Sequence, residues 1–162
     1  MLHAGAIRLW DSGALMIWLS LLSVFAWGGD ARHELHFENG LDVVLEPDPS
    51  ARSVSATAVV RSGWTSDPAG AAGTAHLAEH LWFRSDAGPE STWAAYRRRG
   101  CEVDATTHAD RMFFTTTCGV EAADFLVELE LRRMQAPLAG VSPAEVAVER
   151  AVVEQEEREV DQ

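Results

Sequence analysis

Lysine is missing altogether: all thirteen basic residues of the 162 are arginine, a bias that reads as a GC-rich genome rather than as chemistry. Positive charge is scarce as well, and the formal net charge of −12 argues against nucleic acid, whose phosphates require a basic face. Cysteine occurs twice, too rarely for a disulfide framework. Cys101 and Cys118 fall on two expected neighbouring strands, where they either bridge, if the chain is exported, or pack as two small buried thiols. Long apolar runs are lacking too. The uncharged stretch 14–27 is too short for a comfortable membrane span and has the length of a signal-peptide core. Small residues offer cleavage after Ala26 or after Ala31, and no cysteine follows the run to take a lipid. The expectation is a leader over 1–31, export to a periplasmic or extracellular space, and no stable membrane span after processing. An uncleaved anchor and a misplaced start codon are the alternatives.

What is present is an ordinary globular composition, 47% apolar and 23% charged, enough for one domain over 32–162. Asn39-Gly40 between His33–Phe37 and Leu41–Leu45 predicts a hairpin with a type I′ turn. A third strand is expected over Ser53–Arg61, then a loop over 62–73. Thr74 is placed to cap a helix running to about Arg84. A second helix is expected near Ser91–Arg99, stopped by Gly100. Cys101–Thr106 and Met112–Cys118 read as paired strands turning at His108–Asp110. Glu121–Gln135 reads as a helix with Phe125, Leu126, Leu129 and Met134 on its apolar side, broken by Pro137 and Gly140. Ser142-Pro143-Ala144-Glu145 is a complete capping-box start for a last helix. These elements predict an α+β fold, with a largely antiparallel sheet and helices packed on one face.

Chemistry concentrates in His76-Leu77-Ala78-Glu79-His80. On a helix, positions i and i+4 share a face, so both imidazoles can reach one ion. Zinc suits neutral imidazole, and a catalytic zinc needs three protein ligands with a fourth position open to water. Glu79 stands beside His80, placed to act as general base on that water. This is the inverted order of the HExxH arrangement. The pattern is short, so a third ligand must come from a carboxylate on another element. The acidic C-terminal region, with eleven Asp and Glu over 121–162, offers Glu149, Glu156 and Glu157 on nearly equal terms. Glu149 and Glu156 are i and i+7, on one helix face. The other histidines, His3, His33, His36 and His108, match no ligand spacing and read as surface or packing residues.

Three ordered blocks, over 73–83, 100–107 and 149–156, resemble the N-terminal region of the pitrilysin (insulinase-like) family of zinc peptidases. Gly73-Thr74-Ala75-His76-Leu77-Ala78-Glu79-His80-Leu81-Trp82-Phe83 is similar to the family's G-T-x-H-x-x-E-H-x-x-F. Gly100-Cys101-Glu102-Val103-Asp104-Ala105-Thr106-Thr107 resembles its G-x-x-x-N-A-x-T strand. Glu149-Arg150-Ala151-Val152-Val153-Glu154-Gln155-Glu156 resembles its E-R-x-V-V-x-x-E helix. The resemblance implies one Zn2+ per chain on His76, His80 and Glu156. It makes Glu149 a carboxylate that orients a zinc-ligating histidine; the alternative is a surface residue paired with Arg150 or Arg158. Glu154 and Glu157 are expected to point into solvent.

The resemblance also implies that a peptide substrate adds as a strand beside the zinc, along Asp104 and Ala105. Asp104 departs from the family's asparagine, losing an amide donor and gaining a charge, which puts substrate handling in doubt. Family members usually continue into a second, similar domain. This chain stops six residues after Glu156, and the domain is expected to be incomplete at its C-terminus, completed by a partner chain or domain. Two functions follow: a zinc-dependent endopeptidase with Glu79 as general base, or a non-catalytic, peptide-binding or structural remnant.

Overall fold

The computed structural model describes residues 32–86 and 90–160; the expected leader, 1–31, lies outside them. The chain divides at Ala51/Arg52 into two units. In the first, β1 (His33–His36) and β2 (Asp42–Leu45) pair antiparallel with His33 opposite Leu45. Their turn is not type I′, which needs positive φ at both central residues. Only Gly40 is left-handed, with φ 85°, and no non-glycine residue among those described has positive φ. The Gly40 N–H donates to the Phe37 carbonyl and the Phe37 N–H to the Leu41 carbonyl, both at 2.9 Å. The connection is therefore a three-residue loop with glycine in the left-handed position, not a two-residue one.

The second unit is built on β3 (Ser53–Val60), β4 (Glu102–Thr107) and β5 (Met112–Gly119), in the order β3-β5-β4 and antiparallel throughout. Side chains alternate across a strand, and β5 uses this fully. Met112, Phe114, Thr116 and Cys118 are buried, while the residues between them are half-buried. The opposite face is a hydroxyl ladder, with Ser55 against Thr117 at 3.0 Å and Thr57 against Thr115 at 3.1 Å. The apolar side is covered by helices, giving the expected α+β arrangement. Helix α1 (Thr74–Trp82) sets Ala75 and Trp82 against Ala58, Met112 and Phe114. Helices α2 (Thr92–Arg98) and α3 (Ala123–Gln135) set Ala95, Tyr96, Leu126 and Leu129 against Cys118. Helix α4 (Pro143–Val160) packs on α1.

A disulfide joins Cys101 to Cys118, continuing the register that puts Glu102 opposite Thr117. Of the two sequence alternatives for these cysteines, the bridge is the one found. Helix starts are set in different ways. Ser91 caps α2 by accepting from the Ala94 N–H. Ser142 and Glu145 form the reciprocal box at α4, with the Ser142 N–H and hydroxyl donating to the Glu145 carboxylate. Those bonds hold the Glu145 carboxyl below its usual range. Thr74 does not cap α1. Gly73 is the N-cap, at φ 84°, and the Thr74 hydroxyl turns back to the Ala71 carbonyl. The exposed N–H groups are met from upstream, since the Asp67 carboxylate accepts from Gly73 and Ala75, each at 2.8 Å.

In α3 the apolar side differs from expectation. Met134 is 38% exposed, whereas Arg133 is 2% and Glu130 5% exposed. Arg133 is enclosed by the rings of Trp82, Phe83, Tyr96 and Phe114, with Cζ 5.1 to 5.7 Å from their centroids. It pairs with Glu130 at 3.1 Å. The Tyr96 hydroxyl also donates to Glu130, and burial pushes this phenol well above its ordinary value, so it stays a donor.

Candidate metal centre

Helix α1 lies with Ala75, Leu81 and Trp82 buried, which leaves His76 and His80 on a half-exposed face. One turn apart, their rings meet edge to face with centroids 4.9 Å apart. Helix α4 presents the third group. Glu149, Val153 and Glu156 follow an i, i+4, i+7 pattern and share a face; Glu149 and Val153 are buried, and Glu156 stands at the open end. Glu156 Oε2 lies 3.3 Å from His76 Nε2 and 3.4 Å from His80 Nε2. Ligand atoms of the three residues fall within 4.8 Å of one another.

These separations test the fit of a metal. Four ligands about 2.0–2.1 Å from zinc at tetrahedral angles stand roughly 3.3–3.4 Å apart. Charge-assisted hydrogen bonds would draw the same atoms to about 2.7–2.9 Å. The two separations from Glu156 are those of a coordination shell, and two imidazoles with one carboxylate form a donor set suited to zinc. The exposed side of Glu156 leaves room for a fourth position.

Behind the ligands, Glu149 lies 4% exposed. One of its oxygens is 3.0 Å from His80 Nδ1, and the other accepts from Arg84 Nε at 2.6 Å. It is thus a buried carboxylate beside a histidine rather than a surface residue, and it has Arg84 as a partner, a residue the motif reading passed over. Glu79 does not join the ligand trio, and its carboxylate accepts from the Thr107 hydroxyl at the end of β4. Thr107 closes the strand motif quoted above, but nothing in the pattern shows what it bonds.

The ligand face opens on a cleft of ≈ 1110 Å³ lined by Trp64, His76, Glu79, Ala105, Thr107 and Glu157, among others. Ala105 thus lies at the site. Asp104 is exposed on the other face of β4 and does not line the cleft. Glu157 is exposed as expected, yet it lines the cleft, and its carboxylate lies 2.8 Å from where a Cβ on Gly73 would stand. Gly73 therefore has two reasons to be glycine, its left-handed φ and this close approach. His108 sits in the β4–β5 turn, where its carbonyl accepts from the Trp64 N–H at 3.2 Å, and its ring packs on Phe113.

Fold and site together define an α+β domain bearing a two-histidine, one-glutamate cluster able to hold a metal ion. The sequence profile of the insulinase family (peptidase family M16) matches residues 42–162, and the chain belongs to that family. A protease from Helicobacter pylori has a similar structure, at 24% identity and TM-score 0.70, over 80% of this chain and 31% of that one. Pitrilysin is similar at 29% identity and TM-score 0.54, over 63% of this chain and 11% of that one. The chain thus spans about a third of the first of these proteins and about a ninth of the second. No curated protein matches it.

Proposed function

We propose that this chain is the metal-bearing part of a zinc-dependent endopeptidase acting on peptides or unfolded segments. The observation that carries the reading is the convergence of His76 Nε2 and His80 Nε2 on Glu156 Oε2, each at tetrahedral-edge spacing from it. Zinc held there would polarise the scissile carbonyl and acidify a water molecule. Glu79 would take the proton from that water and pass it to the departing amine. Thr107 would keep the Glu79 carboxylate aimed. Glu149 would fix the His80 ring from behind. The substrate backbone would add along β4, an outer strand of the sheet, with Ala105 beside the cleft. A second peptidase-like domain or chain would complete the site. The Cys101–Cys118 bridge supports an exported, periplasmic or extracellular setting.

The test is zinc stoichiometry by elemental analysis together with cleavage of unstructured peptides. One zinc per chain, and cleavage that a chelator abolishes and zinc restores, is the expected result. Zinc without cleavage of any peptide, with or without added partner, would favour the peptide-binding remnant. No zinc at all would refute both the metal centre and the activity.

Thr107→Val removes one hydrogen bond to a charged group, worth about 1.5 kcal/mol. The turnover number is expected to fall about tenfold, with zinc content unchanged, in steady-state peptide assays.

A further inference from the structure

Glu149 divides its two oxygens between two elements. Oε2 faces His80 Nδ1 at 3.0 Å. Oε1 receives Arg84 Nε at 2.6 Å and Arg84 Nη2 at 2.5 Å. The carboxylate is buried, whereas the Arg84 side chain is 47% exposed. A carboxylate out of water is costly unless it is paired and hydrogen-bonded, and the neutral imidazole that a metal requires brings no charge to it. Among the described residues, Arg84 is the cation that meets Glu149, reaching in from the solvent side.

We propose that Arg84 is a positioning residue of the metal centre, clamping Glu149 so that His80 is held with its Nε2 turned toward His76 and Glu156. This rests on the metal-centre reading given above and adds a residue to it. With Oε1 occupied by the guanidinium, Oε2 is the oxygen left to accept from His80. A ring that donates through Nδ1 keeps its lone pair on Nε2, where the other two ligand atoms lie. The clamp also has a mechanical side. Arg84 follows His80 by four residues on the chain leaving α1, and Glu149 precedes Glu156 by seven on α4. One ion pair therefore joins the two helices at a point behind both sets of ligands. With Val153 buried on the same face of α4, it fixes the rotation of α4 about its own axis, on which the placement of Glu156 depends.

The experiment has two arms, applied to the whole chain and to Arg84→Met, Arg84→Lys and Glu149→Gln. Zinc affinity is measured by competition with a chromophoric chelator. Loss of a partner behind a ligand costs about 10- to 100-fold in affinity, and Arg84→Met is expected in that range. Arg84→Lys, which keeps the charge but not the fork, should fall between it and the unaltered chain. In the Glu149→Gln background, Arg84→Met should add less than about twofold, because the clamp has lost its object. Arg84→Met within twofold of the unaltered chain, or a full loss persisting in the Glu149→Gln background, would overturn the proposal.

The second arm reads the His80 tautomer by long-range nitrogen–proton NMR on the metal-free chain. The Nδ1–H form is expected in the unaltered protein and a mixture in Arg84→Met, with Arg84→Lys carrying the comparison should the methionine variant not fold. An unchanged tautomer population overturns the clamp. A chain that binds no zinc refutes the proposed function, while the tautomer still decides the role of Arg84.

Discussion

Glu79→Gln is expected to lower peptide cleavage by on the order of 10²- to 10⁴-fold, the range for loss of a general base, and to leave one zinc per chain. The separation of the two effects follows from geometry. The ligand atoms come from His76, His80 and Glu156, and Glu79, although next to His80 in sequence, accepts from Thr107 at the end of β4. Glutamine has nearly the same shape and can still meet the Thr107 hydroxyl, since an amide accepts as well as donates. The fold and the metal shell therefore have no reason to change. What is lost is a group that can accept a proton at neutral pH. Steady-state cleavage and elemental analysis on one preparation make the comparison. Cleavage that survives would remove Glu79 from the chemistry, and zinc lost with it would make Glu79 a ligand. Thr107→Val provides a graded companion, because it keeps the base but frees its orientation, and a fall of only about tenfold is expected.

What the sequence made legible is what is encoded locally. Ser142 and Glu145 are three residues apart and satisfy each other, so their box is visible in any four-residue window. His76 and His80 share a helix face by periodicity alone. Glu156 is different: its place depends on how α4 crosses α1, and among several carboxylates on one acidic helix only the family spacing selected it. Arg84 and Thr107 meet their carboxylate partners 65 and 28 residues away, and no local pattern reports such contacts. The start of α1 shows the same limit. Thr74 has the cap chemistry, but Asp67, returning from the preceding loop, has the position. In the hairpin, Asn39-Gly40 fits a two-residue or a three-residue loop, and register between the flanking strands decided for the longer one.

Arg133 is the residue that hydropathy misread, and its replacement carries the largest expected effect on stability. Leu126, Leu129, Glu130 and Arg133 follow an i, i+3, i+4, i+7 stripe, so periodicity puts Arg133 on the inner face and Met134 about 100° around the helix. Charge argued for the reverse assignment. The core resolves the conflict by surrounding the guanidinium with four aromatic faces, from Trp82 and Phe83 at the end of α1, Tyr96 on α2 and Phe114 on β5. Its Nε and Nη2 make no hydrogen bonds, and the ring faces stand in for them. Its remaining donor nitrogen pairs with Glu130, to which Tyr96 and Thr116 also donate. Arg133→Met keeps apolar bulk but strands a buried carboxylate, and breaking such a pair costs about 3–5 kcal/mol. The urea midpoint should fall accordingly with the slope unchanged. Arg133→Met with Glu130→Gln should recover part of the loss, since the uncompensated charge is gone. If the single variant unfolds within about 0.5 kcal/mol of the parent, the usual range of an exposed substitution, the aromatic enclosure is not what holds the end of α1 to the sheet. Because Trp82 and Phe83 lie only two and three residues after His80, a real loss there should also weaken zinc binding. Unlike loss of the Arg84 clamp, that weakening should be relieved by the Glu130→Gln change.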